Sequence, residues 1–277
     1  MTKIITRLLD PIDREAAKER KRTGGLEAYR FRVWVILLTA ALSLLVIHYM
    51  KYSRAFRQTV QWLEGIFGIS DHAWSHALRV SPYAELYTHA WWAGWHYLFF
   101  LIVPMLVVKF VFKDRLSMYG WQQGTILDHK WIYGVAKAFF VVFLSWFSFH
   151  NSSFAHYYPF YRLAYRSWFD LLAWEMLYLT QFVALEFFFR GFIVQGLRVP
   201  FGSMAVAVMM VPYMMIHLPK LWPEATGAIV FGIFLGFLAL RSRSIWGGVA
   251  IHASVALTLD ISGMIQAHGL PKVWFAG

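Results

Sequence analysis

The sequence is poor in charged residues and lacks cysteine altogether. Without cysteine, a disulfide framework, a thiolate zinc site, an iron–sulfur cluster and a cysteine nucleophile are all excluded. Charged residues make up 15% of the 277 positions, against about 25% in soluble domains, whereas 59% of the chain is hydrophobic. This composition excludes the disordered and fibrous classes, and together with long apolar runs it predicts a polytopic membrane protein.

Basic residues exceed acidic ones by 26 to 15. Nine of the basic residues lie within the first 32 positions, at the start of the first long apolar run. A polybasic segment next to a membrane span favours a topology determinant and a ligand for anionic lipid headgroups over a nucleic-acid-binding surface. The apolar run that follows is too long for a cleaved signal peptide.

Seven stretches of the chain are apolar enough and long enough to cross a bilayer. They are residues 31–50, 88–112, 131–150, 168–192, 203–219, 225–241 and 244–263. The predicted fold class is an all-α, polytopic transmembrane helical bundle with seven spans, or eight if residues 152–161 also enter the membrane. Residues 53–79 space apolar side chains among polar ones and predict an amphipathic helix at the interface, and residues 151–167 predict an aromatic interfacial loop or re-entrant element.

The orientation of the chain in the membrane is predicted from the numbers of Lys and Arg residues on the two sides of the bilayer. With a cytoplasmic N-terminus, the inner segments hold about twice as many of these residues as the outer ones, so the N-terminus is predicted inside and, with seven spans, the C-terminus outside. The chain divides into a polybasic cytoplasmic arm (1–30), N-terminal spans with the interfacial helix (31–112), a helical core (115–263) and a C-terminal tail (264–277).

Ionisable residues inside the predicted spans are few, and the candidates for a functional role lie in the C-terminal half of the chain. Each costs roughly a few kcal/mol to bury unless it is paired or faces water, so each is a candidate functional residue. They are Asp170, Glu175, Glu186 and Arg190 in the fourth span, His217 in the fifth, and His252 and Asp260 in the seventh.

The spacing of these residues predicts some of their contacts. Glu186 and Arg190 are four residues apart, so on a helix they share a face and form an ion pair, which either takes part in chemistry or only orients the span. His217 lies near the end of its span, where a histidine is commonly an interfacial or packing residue. His252 lies mid-span, and Asp260 follows two turns later on roughly the same face.

One carboxylate and two imidazoles on three spans are able to activate water or to bind a divalent metal. The chain has no HExxH motif, so a preformed helical metal clamp is absent. A site without a metal or other cofactor is favoured, and zinc held by Glu186, His217 and His252 is the alternative. Gly247 and Gly248, just upstream of His252, permit the close approach of another helix.

Three short motifs coincide with these residues, namely LEFFFR at 185–190, YMMIH at 213–217 and HASVA at 252–256. They resemble the EExxxR, FxxxH and HxxxN motifs of the CPBP family, the membrane-embedded CAAX prenyl endopeptidases and bacteriocin-processing or immunity proteins. The surrounding sequence is similar as well, in MYGWQQG ahead of the third span and in HLPKLWPEATGAIVFGIFLGFLALRSRSIWGGVAIH. The resemblance covers residues 115–263 and identifies them as a catalytic helical core.

The resemblance implies a glutamate-type intramembrane endopeptidase, a protease of the bacterial plasma membrane that cleaves a membrane-anchored or lipid-modified polypeptide. It implies that Glu186 activates water and that Arg190 orients the Glu186 carboxylate. It also implies that His217 and His252 position the water and stabilise the tetrahedral oxyanion. Nucleic acid is not among the expected partners.

The motifs depart from the family pattern. Leu185 takes the place of the first Glu, Ala256 takes the place of the Asn, and the second motif has Tyr in place of Phe. Asp260, one turn beyond Ala256, is a substitute for the lost amide. Glu224 and Glu175 are further carboxylates available in a supporting role.

Two other functions stay open because of these departures. One is a non-catalytic binding or scaffold protein of the same fold. The other is a transporter or proton-coupled carrier that uses Glu186, Asp260 and the histidines as a relay. Discontinuous spans in matched halves would support the carrier, and the sequence has no such symmetry.

The predicted span boundaries place the site residues at different depths. Glu186 lies about six residues past the centre of the fourth span towards the cytoplasm, and His217 about six past the centre of the fifth towards the outside. At about 1.5 Å per residue, their depths would differ by roughly 18 Å. A site that contains both requires other boundaries or a broken span.

Overall fold

The computed structural model describes residues 2–151, 154–220 and 222–275. Helices make up 81% of the structure and the described residues contain no strand, which confirms the all-α class. The helices are α1 (Thr2–Arg22), α2 (Arg30–Met50), α3 (Ser53–Phe67), α4 (Ala73–Val80), α5 (Ala84–Val111), α6 (Lys130–His150), α7 (Trp168–Glu186), α8 (Gly196–Phe201), α9 (Ala205–Met215), α10 (Trp222–Ser242) and α11 (Trp246–Ala267). A π-helical segment, Phe187–Gln195, joins α7 to α8.

Six helical segments among the described residues are long and apolar enough to cross a membrane. They are Glu27–Met50, Ala84–Val111, Lys130–His150, Trp168–Met215, Ala225–Ser242 and Trp246–Ala267. The polytopic helical architecture is thus confirmed. The count differs from the seven predicted because the 48-residue segment Trp168–Met215 contains the fourth predicted span and all but the last four residues of the fifth.

The segment Trp168–Met215 reverses its direction at Gly202. This residue ends α8 with φ 59° and ψ −133°, a backbone conformation that is open to glycine and strained for other residues. Beyond it, α9 packs back against the π-helical segment, and the rings of Phe189 and Tyr213 lie 5.1 Å apart. The fourth and fifth predicted spans are therefore the two arms of one helical hairpin.

The hairpin removes the predicted difference in depth. Glu186 lies 16 residues before Gly202 and His217 lies 15 residues after it, so the two are nearly equidistant from the turn. The expected mismatch of roughly 18 Å was wrong because the fourth span was ended at residue 192, whereas the helical path runs on to Phe201. Both motifs can therefore belong to one site in the hairpin.

The chain forms two compact units. The first comprises Met1–Val46, Phe99–Tyr133 and Val183–Val249, and the second comprises Ile47–Leu98, Gly134–Phe182 and Ala250–Gly277. In the first unit, the π-helical segment is buried over its whole length and is packed by α9 and α10. In the second unit, aromatic rings one turn apart on α7 stack on each other, as the 4.9 Å between Trp174 and Tyr178 illustrates.

Helices α3 and α4 form a short hairpin in the second unit, where the sequence predicts an amphipathic interfacial helix. Trp62 and Ile66 are 63% and 56% exposed, whereas Glu64 is buried. The Ser75 backbone N–H and hydroxyl group both donate hydrogen bonds of 2.7 Å to Glu64, which ties the start of α4 to α3. The structure therefore has the amphipathic helix, and its position at a bilayer surface stays a prediction.

The predicted aromatic loop after α6 packs inside the second unit. Tyr161 is fully buried, and its hydroxyl group donates a 2.6 Å hydrogen bond to Asp170. Arg166 forms an ion pair of 2.8 Å with the same carboxylate. Asp170, one of the ionisable residues singled out in the sequence, thus fixes this loop to the start of α7. Residues 152 and 153 of the loop lie outside the described residues.

Candidate active site

Glu186 and Arg190 form a buried ion pair in the first unit. Arg190 Nη1 lies 3.1 Å from Glu186 Oε1, and both side chains are 0% exposed. Glu186 is the last residue of α7, and Arg190 lies in the π-helical segment that follows. The pairing predicted from their spacing is therefore confirmed. Each charge depends on the other, because burying either one alone is costly.

A glycine makes room for the Glu186 carboxylate. Gly248 lies in the first turn of α11, and a Cβ atom added there would come within 2.2 Å of Glu186 Oε2. The carboxylate therefore turns Oε1 towards Arg190 and Oε2 towards the N-terminus of α11. The positive end of the helix dipole at this terminus favours a negative charge. The close approach that the sequence predicts at this glycine is made by the carboxylate itself.

Arg190 connects the first motif to the second. Its guanidinium carbon lies 4.5 Å from the centroid of the Tyr213 ring, which is a cation–π contact. The Tyr213 ring in turn lies 4.6 Å from the ring of His217. The two arms of the hairpin thus bring Glu186, Arg190, Tyr213 and His217 into one continuous set of contacts.

The hydrogen bonding of His217 defines its tautomer. The ring atom Nδ1 lies 2.8 Å from the carbonyl oxygen of Tyr213. Because a carbonyl oxygen only accepts, Nδ1 carries a proton in this hydrogen bond, and Nε2 is then the acceptor in the neutral form of the ring. A histidine that holds water or another ligand through Nε2 needs this arrangement.

Buried aromatic side chains flank Glu186 and Arg190 along the helical segment that carries them. Phe187, Phe188, Phe189 and Phe192 are each 0% exposed. Leu185, which stands in the position of the family's first Glu, is buried as well. Apolar surroundings of this kind have a low dielectric constant, which strengthens the electrostatic interaction of the ion pair.

The loop that carries MYGWQQG packs against the same π-helical segment. A Cβ atom at Gly191 would come within 2.6 Å of the Tyr119 carbonyl oxygen, so the loop backbone touches the helix backbone there. Trp121 of this loop lies edge-on to the Phe187 ring at 5.6 Å. The loop therefore closes one side of the segment that carries Arg190.

The other predicted site residues lie in the second unit. His252 is buried and stacks on the Phe182 ring at 5.2 Å. Asp260 is buried and accepts a 2.6 Å hydrogen bond from the indole N–H of Trp174. Glu175, next to Trp174 on α7, is 7% exposed. The side chain of Glu224 lies outside the described residues.

Two contacts of the site were not foreseen from the sequence. The first is made by Tyr213, which stands in place of the family's Phe and whose ring lies against the guanidinium of Arg190. The second is made by Trp174, whose indole N–H donates to Asp260 Oδ2. No feature of the neighbouring sequence indicates the contact between Arg190 and Tyr213. The contact between Trp174 and Asp260 is easier to expect, because the N–H group of a tryptophan inside a span needs a hydrogen-bond partner.

Replacing Gly248 with alanine is expected to destabilise the protein by about 1–3 kcal/mol, because the new methyl group overlaps Glu186 Oε2 and forces it away from Arg190. The measurement is the unfolding of the detergent-solubilised protein. The matched control is Gly227→Ala on α10, where a Cβ atom meets nothing within 4 Å. There the gain in helix propensity should stabilise by about 0.5–1 kcal/mol. Equal effects of the two changes would contradict the described position of the carboxylate.

Among the described residues, no three His, Asp or Glu side chains form a group that could hold a metal ion. Glu186 is paired with Arg190, and Nδ1 of His217 is bonded to the Tyr213 carbonyl oxygen. The chemistry that these residues offer is a carboxylate held against a guanidinium, with an imidazole acceptor on the facing arm of the hairpin.

Comparison with known protein families finds a match over about a third of the chain. Residues 166–258 match the family described as Rce1-like, type II CAAX prenyl endopeptidase. The matched range contains Glu186, Arg190, His217 and His252. No curated protein and no solved structure matches the chain. Residues 166–258 thus match the Rce1-like endopeptidase family, and the resemblance to the CPBP intramembrane endopeptidases is confirmed over this part of the chain.

Proposed function

We propose that this protein is a glutamate-type intramembrane endopeptidase that cleaves a membrane-anchored or lipid-modified polypeptide. The observation that carries the proposal is the continuous set of contacts from the buried Glu186 and Arg190 through Tyr213 to His217. The family match over residues 166–258 supports a membrane-embedded protease. The six apolar helical segments support a place in a membrane, which we take to be a bacterial plasma membrane with the N-terminus in the cytoplasm.

In the proposed reaction, Glu186 removes a proton from a water molecule as the water oxygen attacks the carbonyl carbon of the peptide bond. The electron pair of the carbonyl double bond moves to its oxygen, which becomes an oxyanion. When the C–N bond breaks, the proton on Glu186 passes to the leaving nitrogen and the carboxylate is restored. Arg190 and the N-terminus of α11 keep the carboxylate in place throughout.

The two histidines have different roles in this mechanism. His217 accepts a hydrogen bond from the attacking water through Nε2, because its Nδ1–H is bonded to the Tyr213 carbonyl oxygen. His252 is assigned to the stabilisation of the oxyanion from its place in the third motif. Asp260 and Glu175, both buried in the second unit, are assigned a supporting role.

Anionic lipid headgroups are a further proposed partner. Four basic residues of α1 are spaced so that they share one face of the helix, and all four are exposed. They are Arg14, Lys18, Lys21 and Arg22. A stripe of this kind beside a membrane span attracts the negative surface of the cytoplasmic leaflet.

The second candidate function is a non-catalytic binding or scaffold protein of the same fold. It is favoured by Leu185 and Ala256, which place buried apolar side chains where the family motifs have Glu and Asn. A protein of this kind would bind its partner whether or not Glu186 is present, and it would never turn a substrate over.

The proposed function is tested with purified protein in liposomes that contain membrane-anchored peptides, prepared with and without anionic lipid. We expect cleavage by the parent, and we expect His217→Ala and His252→Ala each to lower kcat by roughly 100-fold or more. His76→Ala, at an exposed position on α4, is the control and should cleave as the parent does. Full activity of both site variants would contradict the mechanism, and binding without cleavage by the parent would favour the scaffold.

We also propose that the reaction needs no metal. Arg190 places a positive charge 3.1 Å from Glu186 Oε1, so a metal cation bound to Glu186 would meet a like charge. Elemental analysis of chelator-washed protein that still cleaves the peptides is the measurement. Stoichiometric zinc that is lost together with activity would overturn this view and point to Glu186, His217 and His252 as ligands.

A further inference from the structure

The N-terminal helix α1 packs on the turn of the catalytic hairpin. It contacts α8 and the 3₁₀ turn Gly202–Met204, and all of these elements belong to the first unit. Ala16, at the middle of the contacting face, is 1% exposed. The polybasic arm therefore has an inner face that binds the hairpin as well as an outer, basic face.

Asp13 caps the returning arm of the hairpin. The Ser203 backbone N–H donates a 2.6 Å hydrogen bond to Asp13 Oδ1, and the Ser203 hydroxyl group donates one of 3.0 Å to Oδ2. Ser203 lies at the start of the 3₁₀ turn Gly202–Met204, which leads directly into α9, and the N-cap residue of this turn, Phe201, makes no side-chain hydrogen bond. N–H groups at a helix start lack partners within the helix and favour a negative charge. Asp13 thus supplies the capping acceptor that the local sequence lacks.

Arg20 caps the outgoing arm. Its Nη1 donates a 2.9 Å hydrogen bond to the carbonyl oxygen of Pro200, in the last turn of α8. Carbonyl groups at the end of a helix lack partners within the helix and favour a positive charge. Asp13 and Arg20 are seven residues apart and therefore lie on one face of α1. The acidic residue binds an N–H group at the start of one helical arm, and the basic residue binds a carbonyl group at the end of the other.

The residues around this turn fit α1 closely. A Cβ atom at Gly202 would come within 2.2 Å of Asp13 Oδ1, so the approach of Asp13 requires glycine at the turn. Glu19 forms an ion pair of 2.9 Å with Arg198, and Glu15 forms one of 2.7 Å with Arg243. Burial, and then the charge of Arg198, lowers the pKa of Arg243, whereas Glu15 acts in the opposite direction.

We propose that α1 is a positioning element of the hairpin, in which Asp13 and Arg20 fix the turn so that its two arms keep the register in which Arg190 meets Tyr213. The capping is inferred from these contacts, whereas its effect on catalysis depends on the proposed function. Small displacements of catalytic groups cost enzymes much of their rate, so a loose turn is expected to lower kcat more than it raises KM.

Hydrogen exchange of the backbone amides tests the capping. In Asp13→Ala, the amides of residues 203–206 should exchange roughly five- to tenfold faster than in the parent, and those of 213–217 should also exchange faster. Asp13→Asn keeps an oxygen acceptor and should restore the slow exchange, because Asn caps as well as Asp. Asp10→Ala on the same helix is the control, since Asp10 forms a surface ion pair with the exposed Arg14. Parent-like exchange in Asp13→Ala would overturn the proposal.

Peptide cleavage by the same variants tests the positioning role. We expect kcat to fall roughly tenfold in Asp13→Ala, with KM within about twofold of the parent and with rescue in Asp13→Asn. Faster exchange with unchanged kcat would overturn the positioning role. If the parent itself cleaves nothing, the proposed function fails, and faster exchange at 213–217 in Asp13→Ala alone still supports the link from α1 to the second motif.

Discussion

Replacing Glu186 with glutamine is expected to lower kcat for peptide cleavage by roughly 100- to 10,000-fold. Glutamine has the shape of glutamate and fits against Gly248, but its amide cannot take a proton from water. KM should change little, because the substitution removes a group that acts on the water and not on the bound substrate. The measurement is steady-state cleavage of a membrane-anchored peptide in liposomes.

The loss of activity in this variant has to be separated from unfolding, because Glu186→Gln leaves Arg190 buried without its counter-charge. The double variant Glu186→Gln with Arg190→Met removes both charges, and we expect it to be folded and inactive. Glu27→Gln is the matched control, since Glu27 is an exposed residue in a surface pair with Arg30. A Glu186→Gln protein whose kcat stays within about tenfold of the parent would contradict the role of Glu186 as the base.

Local rules predict part of this site from the sequence. The ion pair of Glu186 and Arg190 follows from their spacing of four residues, because neighbours on one helical face are set by the backbone itself. The apolar runs likewise predict the membrane-crossing segments, since a span needs length and composition and little else. The three motifs also indicate a resemblance to a family, and the family match over residues 166–258 supports that resemblance.

The helical hairpin is not predicted by these local rules. Residues 193–202 look like a connection between two spans, yet the helical path continues through Pro200 and turns only at Gly202. The continuation depends on partners that are distant in sequence, since Arg20 binds the Pro200 carbonyl group and Asp13 binds Ser203. The depth of His217 relative to Glu186 follows from this turn, and it was therefore predicted wrongly. The same reason applies to Gly248, whose role depends on a carboxylate 62 positions earlier in the chain.

Replacing Arg190 with methionine is expected to destabilise the protein by about 3–5 kcal/mol, because Glu186 is then a buried charge without a partner. The double variant Arg190→Met with Glu186→Gln should recover most of this loss, since replacing a buried ion pair with neutral groups of similar volume is often neutral or stabilising. The measurement is denaturant unfolding of the detergent-solubilised parent, the two single variants and the double variant, analysed as a double-mutant cycle.

The exposed pair of Arg30 and Glu27, with its 3.5 Å separation, is the matched control for this cycle. Arg30→Met should change the free energy of unfolding by less than about 1 kcal/mol, because water screens a surface pair. An Arg190→Met effect as small as that of Arg30→Met would mean that water reaches Glu186. It would contradict the dry ion pair, while a water-accessible carboxylate would still be able to act as the base. A large coupling energy in the cycle, together with an inactive double variant, would instead establish that Arg190 holds Glu186 in place and that Glu186 performs the chemistry.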